Sequence, residues 1–312
     1  MNINNKLKPI TFTLLIACKD EENDVHLAIE SAIAQTYQFK EIICVDDSSD
    51  RTKEIIEKYV DWGVLLIDGR REGCCMARNL GIERATGDVI VFLTADTKLK
   101  PNYLEEILPY YERGYDWVTV ESYSYNTESM YSRFVEMLHR YEYGKPGFDP
   151  FTTQGYSVRR DAAIAVGLIS GEVYPFNTCR DWTLGQKLTA QGYKKFFDRS
   201  IVVPHKSPDN FSEFWLVRKT RGLMSAYQPY FMFSRTPQYL FIKFVIKDFL
   251  ILSQFILVVP VISRVVALAC CSDRPFRYFP SLFFTYSMNV LAACVGEWQG
   301  LLRIIRLRRS IN

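Results

Sequence analysis

The stretch 87–97, G-D-V-I-V-F-L-T-A-D-T, restricts the fold of this chain more than any other: it is a continuous apolar run that ends in one carboxylate, Asp96. A strand apolar on every residue has to be covered on both faces, as in a parallel sheet between two layers of helices, whereas a half-exposed strand alternates. Open sheets of that kind bind ligands outside the carboxyl ends of their strands, which is where Asp96 falls. Taken alone, an Asp after a strand is usually a turn or N-cap residue. Its neighbours in the chain decide between the two.

The first hundred residues repeat one arrangement. T-F-T-L-L-I-A-C (11–18) reads as a strand, followed by the charged turn Lys19-Asp20-Glu21-Glu22 and a helix over 25–36 with apolar Leu27, Ala28, Ile29, Ala32 and Ile33. E-I-I-C-V (41–45) ends in Asp46-Asp47-Ser48-Ser49-Asp50 and runs into a helix over 52–59. After a short strand at 64–67, residues 73–87 read as a helix with Arg78 and Asn79 near its start, feeding the Asp96 strand. Strand, acidic turn, helix, in repetition, is a βαβ pattern that brings several carboxylate-bearing turns to one sheet edge.

In that order and spacing, A-C-K-D-E-E, V-D-D-S-S-D, A-R-N-L-G-I-E-R-A-T-G-D and F-L-T-A-D-T resemble the nucleotide-sugar half of a family 2 glycosyltransferase of the GT-A fold. C-R-D-W-T-L-G-Q-K-L-T-A-Q-G-Y (179–193) is similar to that family's acceptor motif, and R-K-T-R-G (218–222) extends the likeness, which covers roughly 10–225. The resemblance implies an α/β, Rossmann-like, mainly parallel sheet flanked by helices. It also implies an inverting transfer of a sugar from a nucleotide-sugar donor. The expected layout is a catalytic domain over 1–230, with a donor half at about 10–115 and an acceptor half at about 116–230, then a helical, membrane-associated region over 231–312.

Such a reaction makes its own demands. Negative charge grows on the departing diphosphate, so a divalent cation or Arg and Lys groups must stabilise it. Hard oxygen ligands suit Mg²⁺ or Mn²⁺, and Asp96 supplies one. A carboxylate must take the acceptor proton from the opposite face of the sugar. By resemblance that base is Asp181, which also suits the N-cap of a helix over 182–190. The resemblance further assigns Asp47 to the base or ribose, Ala17, Lys19 and Glu21 to the wall of the base, Arg78 to the donor, and Arg218 and Arg221 to the diphosphate. His205, in V-P-H-K-S-P, reads either as a second metal ligand or as a hydrogen-bonding structural residue.

The chain departs from the family at three places. The first turn shows Ala17-Cys18-Lys19-Asp20-Glu21 where the family has Pro-x-Tyr-Asn-Glu, so an aromatic contact is lost. The Asp-x-Asp motif stands as Thr94-Ala95-Asp96, leaving the metal to Asp96 and the diphosphate. The acceptor motif's Glu is Arg180, a cation next to the expected base.

A length of 312 residues holds one α/β domain and an appendage, and a net charge of +3 gives no footing for nucleic acid. Eight Cys lie mostly in apolar segments without CxxC spacing and read as reduced thiols. The first residues, M-N-I-N-N-K-L-K, lack the apolar core of a signal peptide, so a cytosolic catalytic domain is expected. Segments 249–271 and 279–302 are each near the length of a membrane span, with Lys243 and Lys247 before the first and Arg303, Arg306, Arg308 and Arg309 after the second. A spanning hairpin at the cell membrane is the expectation; a pair of interfacial helices, or a homo-oligomer contact, is the alternative, since Arg264 is costly at mid-bilayer. The Tyr- and Lys-rich stretch 227–247 reads as an interfacial belt, and residues 126–151 as part of an acceptor cleft or lid. The acceptor expected from this is a lipid-linked molecule or another glycan. A nucleotidyltransferase and a degenerate sugar-nucleotide-binding subunit are the competing classes.

Overall fold

The computed structural model describes residues 9–170 and 181–311, which fall into two compact units. The first comprises Met1–Tyr123 and Asp149–His205, the second Ser124–Phe148 and Lys206–Asn312.

The first unit is built on strands β1 (Phe12–Cys18), β2 (Glu41–Asp46), β3 (Val64–Asp68), β4 (Val89–Thr94), β5 (Trp117–Ser124), β6 (Ser157–Arg159) and β7 (Lys195–His205), in the order β3-β2-β1-β4-β6-β5-β7. The first four are parallel; β6 runs antiparallel to both β4 and β5. Helices α1 (Val25–Ile33), α2 (Thr52–Glu57), α3 (Cys74–Arg84), α4 (Tyr103–Glu112), α6 (Arg160–Ala165) and α7 (Trp182–Ala190) flank it, while α5 (Met130–Tyr143) belongs to the second unit.

The alternation of side chains along a strand explains why unbroken apolar runs were needed. On β1, Leu14 and Ile16 enter a core with Val25, Ile29, Ile56, Leu104 and Ile107. Leu15, between them, enters a second core with Ile43, Val45, Ala77, Ile82, Leu184 and Leu188. Both faces are therefore dry, which is what confines the polar chemistry to the strand ends. The strands and helices expected over 11–97 all form.

At the amino edge three strands are tied by carboxylates. Asp88 accepts from the Thr11 amide (2.8 Å) and hydroxyl (2.6 Å). Glu41 accepts from the Thr13 hydroxyl (2.6 Å) and from the Thr86 and Gly87 amides. Gly87 has no substitute there, since a Cβ would lie 2.6 Å from the Thr13 Oγ1.

The second unit contains α5, α8 (Phe211–Met232), α9 (Pro237–Leu257), α10 (Val259–Ala269) and α11 (Pro275–Ile311). Its core gathers Phe134, Met137, Phe214, Val261, Val265, Leu268 and Leu282. Residues 126–151 contain a regular helix, capped by the Ser129 side chain on the Tyr131 and Ser132 amides, because Phe134 and Met137 form a buried stripe between polar residues. The first apolar segment is not one rod: it breaks at Val258, where φ is 64°, and α9 and α10 meet at 85°. The second lies inside the longer α11, which alone among the described helices is long and apolar enough to cross a membrane by itself. The N-terminal octapeptide, Cys179 and Arg180 lie outside the described residues.

Burial works against the Glu41 carboxylate, but the hydrogen bonds from Thr13, Thr86 and Gly87 outweigh it and hold its pKa below the ordinary value. A carboxyl lowered on folding stabilises above its unfolded pKa and loses that contribution as pH falls through the folded pKa. Glu41→Gln is therefore expected to cost about 1–3 kcal/mol near neutral pH, the range for hydrogen bonds to a charged group. The deficit should shrink as pH falls below the ordinary glutamate value of about 4.3. Urea unfolding of both proteins across that range checks it; a deficit that does not change with pH contradicts the assignment.

Candidate active site

Strand register decides which residues reach the carboxyl edge together. Cys18 pairs with Asp46, Asp46 with Asp68, and Ala17 with Thr94, so β1 to β4 end level and their turns leave from one line.

The first two turns are latched to each other. The Asp20 Oδ1 accepts from the Ser49 amide (2.8 Å) and hydroxyl (3.0 Å), and the Asp20 amide donates to the Ser48 Oγ (2.9 Å). The Glu21 amide donates to the Thr52 hydroxyl (2.8 Å), and Asp50 accepts from the Thr52 and Glu22 amides. The Ser49 donors hold the Asp20 carboxyl below the usual range. These acidic residues are thus spent on loop geometry. They set Ala17, Lys19 and Glu21, the residues expected to wall a base, at the mouth of the edge.

Asp47 is differently placed. Its Oδ1 accepts from the Arg71 amide (2.7 Å), and a Cβ on Gly69 would lie 2.3 Å from that oxygen, so the β3 turn closes on it only with glycine at 69. Arg70 and Arg71 both sit in the left-handed region, at φ 59° and 57°, with the Arg70 amide on the Asp68 Oδ1 (2.9 Å). Two successive non-glycine residues there cost on the order of 1–3 kcal/mol each, which the two carboxylates offset. Asp46, behind them, is buried, and burial raises its pKa despite hydrogen bonds from Ser48. The D-G-R-R sequence at 68–71 is a turn signal at the right strand end, and through it Gly69 and Arg71 could have been found.

At the end of β4 the Thr94 hydroxyl lies 2.6 Å from that of Thr97 and 2.9 Å from the Gln154 side-chain oxygen. The residue standing where the family has its first metal carboxylate is therefore held in a neutral network, to which Gln154 was an unforeseen contributor. Asp96 is half-buried, and its Oδ1 receives only the Thr97 hydroxyl, at 3.3 Å. Among the described residues, no three ligand groups gather around it; the group that does gather, Asp248, Cys294 and Glu297, is in the second unit and contains the ion-pair partner of Lys247. One hard, cation-free carboxylate fits a divalent ion that takes its other ligands from diphosphate and water. The backbone of His205 bridges Thr97, one residue from Asp96, while its Nδ1 lies 3.0 Å from the Ser122 Oγ.

Arg78 and Asp181 meet. Arg78 is 6% exposed on α3, and its Nη1 donates to the Asp181 Oδ2 at 2.9 Å. The other Asp181 oxygen accepts from the Trp182 amide (3.0 Å) at the start of α7. Asn79, the next residue on α3, fixes Ile169 through its amide and carbonyl (3.0 and 2.9 Å), holding the adjoining chain in place. Among the described residues the cation beside Asp181 is Arg78; Arg180, the one suggested by the sequence, lies outside them.

In the second unit, α8 carries Arg218 and Arg221. Arg218 is 3% exposed between the Phe134 and Phe214 rings, and its Nε and Nη2 have no hydrogen-bond partner among the described residues. Burial, helped by the like charge of Arg221, lowers its pKa to about 9, so it remains a cation at neutral pH. A buried guanidinium left unpaired is costly unless an anion completes it.

Residues 13–167 match the family described as Glycosyl transferase family 2. Glycosyltransferase GlyA of Streptococcus pneumoniae serotype 4 is 25% identical over 190 residues, 46% of this chain and 27% of that protein. UDP-Glc:alpha-D-GlcNAc-diphosphoundecaprenol beta-1,3-glucosyltransferase WfaP of Escherichia coli is 37% identical over 86 residues, 27% of this chain and 34% of that protein. The chain thus spans no more than about a third of either relative. The solved structure of mannosyltransferase PcManGT from Pyrobaculum calidifontis, in complex with GDP-Man and Mn²⁺, matches with a TM-score of 0.60 at 13% identity, covering 94% of this chain and 88% of that one, a likeness of fold. A family match that lies along the parallel strands, their acidic turns and Arg78, on a sheet of GT-A type, places this chain in glycosyltransferase family 2.

Proposed function

We propose that this chain moves a sugar from a nucleotide-sugar donor to an acceptor hydroxyl in one inverting displacement. The observation that carries the reading is the level carboxyl edge, where Asp47 and Asp96 each keep an oxygen without a partner among the described residues while Asp20 and Asp50 are consumed by the loops. Asp47 holds the ribose or base. Asp96 holds Mg²⁺ or Mn²⁺, which, when bound, offsets the charge growing on the leaving diphosphate; the Mn²⁺ and GDP-Man of the PcManGT complex support that choice. Asp181 accepts the acceptor proton, and Arg78 keeps the carboxylate aimed by its bond to one oxygen. Arg218 and Arg221 are assigned to the diphosphate, a reading supported by the two unpartnered nitrogens of Arg218.

The acceptor in this reading is lipid-linked, and the catalytic unit works at the cytosolic membrane face. The diphosphoundecaprenol acceptor in the name of WfaP supports the first part. The apolar, exposed side of α9 supports the second. The family match speaks against a nucleotidyltransferase. A sugar-nucleotide-binding subunit without turnover is the second reading, favoured by the engagement of Thr94 with Gln154; it binds donor and releases no nucleoside diphosphate.

Asp96→Ala is expected to abolish the part of donor affinity that depends on Mn²⁺, measured by titration calorimetry over a panel of UDP- and GDP-sugars. Equal affinity of variant and parent in Mn²⁺ removes Asp96 from the metal site.

Asp181→Asn keeps the size of the side chain and an acceptor for Arg78 but cannot take a proton. Transfer should fall by about 10²- to 10⁴-fold, the usual contribution of a positioned base, with donor affinity unchanged. Full activity, or a product that keeps the donor's anomeric configuration, eliminates the mechanism.

Arg218→Met replaces the buried cation by an apolar group of similar length. Without ligand the variant should be more stable, by about 1–4 kcal/mol if it behaves like other buried charges replaced by apolar residues, yet should bind donor more weakly. A variant that loses stability and retains donor affinity makes Arg218 a packing residue.

A further inference from the structure

We infer that the chain attaches to a single leaflet of an anionic membrane through α9 and the elbow at Val258, and that α11, although long enough to span, is a core helix. The inference rests on the membrane reading above.

Consider first what crossing would require of α11. Its backbone lies against that of α8 at small residues: a Cβ on Gly222 would come 2.1 Å from the Ala293 carbonyl oxygen, and one on Gly296 2.0 Å from the Lys219 carbonyl oxygen. No lipid fits between helices that close. Drawing α11 through a bilayer would carry α8 with it, and α8 bears Glu213, Arg218, Lys219 and Arg221. The other end of α11 is held as firmly, with Leu282 in the core shared with α5 and α10 and the Arg133 guanidinium 4.1 Å from the Tyr278 ring. Charges of this number are prohibitive at bilayer depth.

The first apolar segment cannot cross as a rod either. Past the 85° bend, α10 turns Val261, Val265 and Leu268 to the α5 core. Arg264, the costly residue of the sequence, is not in lipid in this arrangement: it donates to the Tyr141 hydroxyl (3.0 Å) and Glu142 (3.2 Å) and stacks on the Tyr141 ring at 4.5 Å.

What remains outward is apolar. On α9, Ile242, Ile246, Phe249, Ile256 and Leu257 are 58, 55, 69, 71 and 66% exposed, and Val259 beyond the elbow is 72% exposed. Of the three charges on the same helix two face α11, Lys247 pairing with Glu297 and Asp248 accepting from the Trp298 indole at 2.7 Å, while Lys243 is exposed near the start of the row, where a headgroup phosphate would meet it. From Phe249 to Val258 the helix rises about 15 Å, half of a hydrocarbon core of roughly 30 Å. A soluble surface seldom carries an apolar row of this extent without a partner.

Charge identifies the partner. Arg308 and Arg309 line a groove of about 590 Å³ with Phe241, Ile242 and Ile305, and Arg306 is exposed on the same turn of α11. An apolar row with a basic end matches fatty acyl chains beneath phosphate headgroups; a second copy of this chain would set like charges together.

The test uses the full chain with one protease site inserted after Asp273, between α10 and α11, and another at the C-terminus, in inside-out membrane vesicles. Both sites should be cut from the outside. Flotation with phosphatidylcholine vesicles containing phosphatidylglycerol should be lost in Ile246→Glu/Phe249→Glu/Ile256→Glu. In Arg306→Ser/Arg308→Ser/Arg309→Ser it should weaken by about 100-fold, from roughly 1 kcal/mol per basic residue. Both variants change exposed residues and should keep the circular dichroism and donor affinity of the parent. Protection of the inner site until detergent is added means a true span and overturns this inference while leaving the membrane reading intact. A parent that does not float, or that is a detergent-free dimer, overturns both while leaving the glycosyltransferase reading intact.

Discussion

The dryness of both sheet faces governs everything else in the first unit. Leu14 and Ile16 on one side and Leu15 on the other leave β1 no polar side chain between its ends but Thr13, whose hydroxyl is taken up by Glu41, and β2 and β4 are apolar on both faces between their ends. A binding site on such a body has to be assembled from turns, and turns are the least rigid part of a fold. The acidic residues answer that difficulty. Asp20, Asp50, Asp68 and Glu41 accept backbone amides, each holding a loop or strand end in a single conformation. Only against that fixed background can the free oxygens of Asp47 and Asp96 be preorganised for a ligand.

This division of labour explains why carboxylates could be counted in the sequence but not sorted. Asp46 and Asp47 are adjacent, yet one is buried and tied to Ser48 while the other faces the β3 turn. Nothing in V-D-D-S-S-D distinguishes them; the register with Cys18 and Asp68 does. The sheet was legible because its signal is local, an apolar run followed by a charged turn. Gln154 was not, because its contact with Thr94 depends on the antiparallel placement of β6, which joins residues 60 apart. The bond of Arg78 to Asp181 was not foreseen for the same reason: the two are 103 residues apart in the chain.

The apolar C-terminal segments show the opposite limit. Hydropathy reads how a helix is composed and cannot read what it packs on. Residues 249–271 have the composition of a span, but a left-handed Val258 and the following Pro260 divide them into two helices with separate tasks. α10 uses its apolar side on α5, and Gly296 and Gly300 of α11, with Gly222 of α8, let those two helices approach. Small residues at a helix crossing serve soluble and membrane interfaces alike, so the glycines alone could not have settled the matter. The charge on the helix they approach is what weighs against a span.

Arg218 and Thr94 are the two places where local preference is set aside. A guanidinium held between Phe134 and Phe214 with two nitrogens unpartnered is unfavourable in the structure by itself, and Thr94 gives up a position suited to a metal carboxylate. The two observations are complementary in charge. A site with one metal carboxylate fewer binds its cation less strongly and leaves more of the leaving group's charge to be met by other means. Under the proposed function that charge falls to Arg218, whose desolvated guanidinium would meet an anion without first shedding water.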